Sequence, residues 1–151
     1  MLATSPIRPL NPRCLCELNS ILRRGEHYLS GLMDWAVEHD CPCDESSICT
    51  FAALGGHLGV LRWLWEKDFF WDWTTTAAAA EGGHLEVLQW LREHGCEWNE
   101  ATCAYAAYGG HLDVLKWARE HDCSWDEETR ECAVLNGDPE VLRWLVEHGA
   151  P

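Results

Sequence analysis

The sequence has few basic residues and no long apolar run. Its 151 residues contain 11 Lys and Arg against 25 Asp and Glu, and the formal net charge is −14. This charge disfavours nucleic-acid phosphates and anionic membrane surfaces as partners. No stretch reaches the roughly 20 apolar residues of a membrane span, and residues 1–13 lack the apolar core of a secretory signal. We therefore expect an intracellular, cytoplasmic protein that binds neither nucleic acid nor membrane.

The nine cysteines do not form a compact framework of paired spacings, and their odd number is typical of reduced thiols. His-x-Cys recurs with the period of the chain, as in His94/Cys96 and His121/Cys123. A zinc site needs four ligands at about 2.0–2.3 Å from one point, whereas neighbouring helical layers are roughly 8–10 Å apart. Structural cysteines and no cofactor are therefore expected. A metal site remains an alternative at one non-periodic cluster, which comprises Cys14, Cys16, Cys41 and Cys43.

One phrase occurs four times at a spacing of 27 residues. It reads GGHLGVLRWLWEKD at 55–68, GGHLEVLQWLREHG at 82–95, GGHLDVLKWAREHD at 109–122 and NGDPEVLRWLVEHG at 136–149. Leu85, Leu88 and Leu91 recur at helical spacing and predict an amphipathic helix. A column of Gly or Asn (Gly55, Gly82, Gly109, Asn136) and an all-glycine column (Gly56, Gly83, Gly110, Gly137) precede it. We assign a left-handed helix end to the first column, and together the two predict a tight corner.

A second helix is predicted upstream of each corner. Its candidate N-caps are Asp44, Asp72, Asn99 and Asp126, and its interior is small, as in TTTAAAAE at 74–81. Each unit then consists of a short helix, a corner, a longer helix and a loop. Because one such pair cannot bury its own apolar stripe, the repetition predicts stacked pairs. Two tryptophan columns, Trp63/Trp90/Trp117/Trp144 and Trp71/Trp98/Trp125, are interpreted as core or an edge ladder.

The phrases AAYGGHLDVLKWAREHDCSWD and AAAEGGHLEVLQWLREHGCEWN resemble ankyrin repeats. The resemblance covers roughly residues 44–151, but each unit has 27 residues where the family usually has 33. It implies an all-α, ankyrin-type solenoid of stacked antiparallel helix pairs that lacks β-hairpin fingers. This short form is similar to repeats of large DNA viruses and protists, which would place a viral protein in the host cytoplasm.

The repeats divide the sequence into four units at about 44–70, 71–97, 98–124 and 125–151. Residues 1–43 are expected to form a degenerate N-terminal capping repeat, because MDWAVEHDC echoes LKWAREHDC. Together these segments predict a single solenoid domain. The leucine-rich repeat also has a period near 27, but its strand motif L-x-x-L-x-L-x-x-N does not occur here.

No catalytic constellation departs from the periodicity, so we do not expect an enzyme. The predicted function is a monomeric protein-interaction scaffold. The alternatives are an inhibitor or substrate adaptor for a host enzyme such as a ubiquitin ligase, and, less favoured, a metal-binding or redox protein. In the ankyrin resemblance, the position after Ala-Ala faces the binding groove. The candidate partner-binding residues are Leu54, Glu81, Tyr108 and Leu135 in that column and Trp73, Glu100 and Glu127 in the loops beside it. An apolar anchor among carboxylates predicts a partner with a basic or mixed apolar and basic surface. The alternative is that the column makes partly buried contacts between repeats.

Overall fold

The computed structural model of the protein describes residues 45–151, which form eight α-helices and no strand. The helices are α1 (Glu45–Leu54), α2 (Leu58–Glu66), α3 (Trp73–Glu81), α4 (Leu85–Glu93), α5 (Glu100–Gly109), α6 (Leu112–Glu120), α7 (Glu127–Asn136) and α8 (Pro139–Glu147). Consecutive helices pair from α1–α2 to α7–α8, and we call each pair a repeat. The predicted all-α architecture of helix pairs is confirmed for this part of the chain. The capping repeat predicted over 1–43 and the cluster of Cys14, Cys16, Cys41 and Cys43 lie outside the described residues.

The first helices of neighbouring repeats lie closest together. The helices α1, α3, α5 and α7 contact one another along the stack more extensively than either helix of a pair contacts its own partner. Small side chains permit this approach, and Ala79, Ala80, Ala106 and Ala107 have no exposed surface. The second helices of neighbouring repeats lie farther apart. The stack therefore curves toward its first helices, which form the inner layer.

The second helices supply the large side chains of the core. Leu61, Leu88 and Leu115 occupy the same position in successive repeats, and all three are fully buried. Leu142 occupies this position in α8 and is only half-buried, because no further described repeat covers it. Each repeat thus covers the apolar stripe of its neighbour, as the sequence predicts for a stacked repeat protein.

The left-handed residue of each corner is the second glycine, so its assignment to the first column is wrong. Gly83 has a φ of +74° and Gly110 a φ of +76°. Gly82, in the first column, has a φ of −77° and continues the helical turn. The residues of the first column must be small for another reason. A Cβ atom on Gly82 would lie 2.4 Å from the carbonyl oxygen of Leu54 in the preceding repeat.

The second helix of each repeat is not longer than the first, contrary to prediction. The first helices have 9 or 10 residues and the second helices have 9. Each second helix stops two residues before a left-handed residue, at which the chain reverses. These left-handed residues are Asp68, Gly95, Asp122 and Gly149, with φ values of 58°, 79°, 63° and 73°. Residues that tolerate this conformation thus stand at the C-terminal end of every second helix.

Three of the predicted N-caps are confirmed. The side chain of Asp72 accepts a hydrogen bond from the backbone N–H of Thr74 at 2.9 Å, and that of Asn99 from Ala101 at 3.1 Å. Asp126 forms a capping box with Thr129. Asp44 lies outside the described residues. In the last repeat, Asp138 accepts a hydrogen bond from Glu140 N–H at 2.8 Å, and Pro139 begins α8.

Replacing Gly59 with alanine is expected to raise the free energy of unfolding by up to the roughly 0.5–1 kcal/mol that glycine costs in the middle of a helix. Gly59 lies in α2, and a Cβ atom there would meet nothing within 4 Å. Urea denaturation measures the change. The reciprocal control is Glu86→Gly at the same position of α4, which should lower stability. A loss of stability in the Gly59→Ala variant would contradict the prediction.

Candidate functional site

The seven predicted partner-binding residues form two rows at opposite ends of the first helices. Trp73, Glu100 and Glu127 are the first residues of α3, α5 and α7. Leu54, Glu81, Tyr108 and Leu135 lie at the last or penultimate position of α1, α3, α5 and α7. Eight residues separate the two rows on a helix, which is about 12 Å at 1.5 Å per residue. We call the solvent-facing side of these four helices the first-helix face.

Exposure along the later row increases toward the last repeat. Leu54 and Glu81 are half-buried, whereas Tyr108 is 47% exposed and Leu135 is 75% exposed. Leu54 packs against the core. In the earlier row, Trp73 is 41% exposed. The large exposed side chains thus lie on α3, α5 and α7.

Tyr105 is an exposed residue of this face that the sequence analysis missed. It lies one turn before Tyr108 on α5 and is 41% exposed. The equivalent residue of α3 is the buried Ala78. A large aromatic residue at a position that holds alanine in a neighbouring copy is the signal that indicates it. Tyr105 lies between the two predicted rows and connects them across α5.

The backbone of the later row is bridged to the next repeat. His84 Nε2 lies 3.1 Å from the carbonyl oxygen of Leu54, and His111 Nε2 lies 2.9 Å from that of Glu81. Because a carbonyl only accepts, each Nε2 carries the proton. These hydrogen bonds hold the backbone of the row in place and leave its side chains to vary.

The last repeat makes the same bridge with a different side chain. The amide Nδ2 of Asn136 donates to the carbonyl oxygen of Tyr108 at 2.9 Å. Asn136 replaces the first glycine of the corner, and Asp138 replaces the histidine. The histidine positions at the other corners provide no side-chain cap, whereas Asp138 caps α8. The substitutions therefore move the bridge to the first corner residue and add a cap at the third.

Acidic side chains dominate the first helices. The sequences of α1, α3, α5 and α7 contain six glutamates and one arginine, Arg130. The glutamates include Glu81, Glu100 and Glu127 of the predicted site. The charged groups of this layer are therefore almost all carboxylates.

The tryptophans form a ladder on the loop side of the stack. The loop indoles of Trp71, Trp98 and Trp125 meet those of Trp90, Trp117 and Trp144, respectively, edge to face, with centroid distances of 5.5, 5.7 and 5.8 Å. Arginine side chains continue the ladder between repeats. The guanidinium carbon of Arg92 lies 4.3 Å from the centroid of Trp98, and that of Arg119 lies 4.2 Å from Trp125. The tryptophans of the two columns thus pair within each repeat at the edge of the core, and the arginines connect one repeat to the next.

The buried cysteines make hydrogen bonds that connect the end of a repeat to the beginning of the same repeat. The thiol of Cys96 donates to the carbonyl oxygen of Asp72 at 3.3 Å, and that of Cys123 donates to Asn99 at 3.3 Å. Burial, reinforced by the Asp72 carboxylate, raises the pKa of Cys96 to about 12. The Cys96 thiol is therefore protonated at neutral pH. Among the described residues, no three His, Cys, Asp or Glu side chains come close enough together to hold a metal ion.

The described chain is a stacked helical-repeat protein with its variable side chains on an extended face. Residues 77–119 match the family of ankyrin repeats (many copies), from within α3 to near the end of α6. This stretch therefore has the similarity to ankyrin repeats that the sequence indicates. No curated protein matches it. Ankyrin repeats are generally protein–protein interaction modules. No helix between residues 45 and 151 has the length and apolarity that a membrane crossing requires.

Proposed function

We propose that the protein is a scaffold that binds a partner protein on the first-helix face. The observation that carries the proposal is the set of exposed tyrosines, Tyr105 and Tyr108, on a helix layer whose charged groups are almost all glutamates. Tyrosine supplies a large contact area at a small entropic cost, which makes it a frequent anchor in interfaces. Carboxylates at the edge favour a basic partner and raise its association rate.

The proposed partner has an apolar segment that fits over α5 and basic residues on either side of it. Glu81 lies on the preceding first helix and Glu127 begins the following one, so carboxylates stand on both sides of the tyrosines. The protein acts as a monomer in the cytoplasm and has a binding role without catalysis. The four repeats form its single solenoid domain.

Reversing three charges of the face tests this proposal. The variant Glu81→Lys/Glu100→Lys/Glu127→Lys is expected to bind the partner about tenfold more weakly or worse, because like charges at an interface cost several kcal/mol. The partner is captured from the source cell with the wild-type protein and identified, and its affinity is then measured with purified components.

The matched control reverses the same number of charges on the second helices. Glu86, Asp113 and Glu140 occupy one exposed position of α4, α6 and α8, near the N-terminus of each helix. Their triple lysine variant has the same net charge as the test variant and should bind the partner as the wild type does. Equal affinity of the two variants would contradict a role for the first-helix face. A captured ubiquitin-ligase subunit would assign the adaptor role to this interaction.

A further inference from the structure

A second exposed aromatic surface lies on the loop side, at the junction between the first two described repeats. A groove of about 560 Å³ opens there. The indoles of Trp65 and Trp71 stack in its wall, with centroids 4.7 Å apart and planes inclined by 9°. Trp65 remains 42% exposed, whereas Trp71 is partly buried against Trp90. The imidazole of His94 also meets the Trp65 ring, edge to face with centroids 5.5 Å apart. The remaining surface of Trp65 is open to solvent and lines the groove.

The position of Trp65 is held by arginine in the next two repeats. Residues 65, 92 and 119 are equivalent, and they are Trp, Arg and Arg. Arg92 and Arg119 each lie over the loop tryptophan of the following repeat, at 4.3 and 4.2 Å. Each guanidinium also donates to a backbone carbonyl, that of Cys96 or that of Cys123. At these junctions the protein supplies its own cation for the tryptophan ladder. At the first junction, Trp65 occupies the arginine position and stacks on the loop tryptophan, Trp71.

The first junction also differs from the other two in its charged residues. Three carboxylates line the groove at the first junction, those of Asp68, Asp72 and Glu97. The equivalent residues at the second junction are Gly95, Asn99 and Ser124, which carry no charge. The third junction has Asp122 and Asp126, together with its own Arg119. Among the described junctions, the first therefore combines carboxylates and a tryptophan face without an arginine of its own at this position.

We propose that the groove at the first junction binds an arginine side chain of a partner protein. The guanidinium stacks on the exposed face of Trp65, in the way that Arg92 stacks on Trp98. A guanidinium is planar and weakly hydrated, so it stacks on an indole at a smaller desolvation cost than a lysine ammonium. The carboxylates of Asp68 and Glu97 are exposed and supply acceptors for its N–H groups. Asp72 contributes charge while its Oδ1 atom caps α3.

The nearest lysine along the chain does not substitute for that arginine. The ammonium of Lys67 lies 5.5 Å from the centroid of the Trp63 ring, on α2. Lys67 is not among the residues that line the groove. The charge of the groove wall is therefore set by its carboxylates.

A short peptide with a single arginine tests the proposal directly. The probe is acetyl-Gly-Gly-Arg-Gly-Gly-amide, and its comparison peptide carries citrulline, which has nearly the same shape without the charge. Binding is followed through the indole N–H signals in NMR spectra, assigned by the signals lost in single Trp variants. The arginine peptide is expected to shift the Trp65 signal saturably and to bind about tenfold more tightly than the citrulline peptide. Equal affinity for the two peptides would overturn the proposal.

Variants of Trp65 separate binding from folding. The Trp65→Leu variant should lose the binding. The Trp65→Arg variant places an internal guanidinium on Trp71, as at the other two junctions, and should lose the binding without a lower melting temperature. Affinity for the probe within twofold of the wild type in either variant would overturn the proposal.

Two further variants test the carboxylates and the independence of this groove. The double variant Asp68→Asn/Glu97→Gln should bind the probe about fivefold more weakly. Its control, Glu120→Gln/Glu140→Gln, removes two carboxylates elsewhere and should bind as the wild type does. Equal binding by the two pairs would contradict the role of the groove carboxylates. The charge-reversed first-helix variant should still bind the probe, so failure of the scaffold proposal and failure of this one are distinguishable.

Discussion

Replacing Gly83 with alanine is expected to lower the free energy of unfolding by about 2–5 kcal/mol, because two costs act at one atom. Gly83 has a φ of +74°, a conformation that costs an L-residue with a side chain about 1–2 kcal/mol. Its Cβ atom would also lie 2.5 Å from the imidazole of His111. That ring cannot simply turn away, since its Nε2 donates to the carbonyl oxygen of Glu81. Overpacking of this kind typically costs about 1–3 kcal/mol.

The last repeat provides a matched control for Gly83. Gly137 occupies the same corner position with a φ of +81°, but a Cβ atom there would meet nothing within 4 Å. The free energy of unfolding of the Gly137→Ala variant should therefore fall only by the cost of the backbone conformation, about 1–2 kcal/mol. Chemical denaturation of both variants measures the difference. Equal losses would show that contact with the next repeat adds nothing.

A double-mutant cycle identifies the colliding ring. The His111→Ala variant removes the imidazole and its hydrogen bond, so it loses stability by itself. In that background, Gly83→Ala should cost about as much as Gly137→Ala does in the wild type. An unchanged cost would exclude the imidazole as the source of the strain.

Replacing Leu115 with alanine is expected to cost about 3–5 kcal/mol, within the range of fully buried leucines. Leu115 has no exposed surface, because α6 lies between the helices of neighbouring repeats. Leu142 occupies the same position of α8 and is only half-buried, so its replacement should cost about half as much or less.

The comparison of these two leucines tests whether neighbouring repeats stabilise one another. Urea denaturation gives both free energies, and hydrogen exchange shows which helices open. The Leu115→Ala variant should raise exchange in α5 to α8, since contacts in a repeat protein are made between neighbours. Equal losses for Leu115→Ala and Leu142→Ala would contradict the nearest-neighbour interpretation.

Much of the architecture could be predicted from periodicity, but the backbone of the corner could not. Four copies in register predict paired helices, since residues at helical spacing form one apolar stripe in each copy. The choice between the two glycine columns depends on where the preceding helix ends. Gly82 extends the helical turn, and its lack of a side chain is required by the carbonyl oxygen of Leu54 in another repeat. Sequence alone does not reveal a contact of that kind.

The exposure of the candidate residues follows the repeat pattern only in part. In the column after Ala-Ala, Tyr108 and Leu135 are exposed, whereas Leu54 and Glu81 are half-buried. Tyr105 and Trp65 replace an alanine and an arginine of other copies, so the shared pattern did not indicate them. Single substitutions of this type are where one repeat gains a property that its neighbours lack.

The joint between repeats uses a backbone carbonyl as its acceptor, and this has an evolutionary consequence. The residues that supply this carbonyl are Leu54, Glu81 and Tyr108, three side chains with nothing in common. The hydrogen bond between repeats therefore does not depend on which side chain the accepting residue carries. A gene built from such units can gain or lose a whole copy in frame, and each new copy can diversify at this position without loosening its connection. Recognition and assembly can thus evolve separately within one unit.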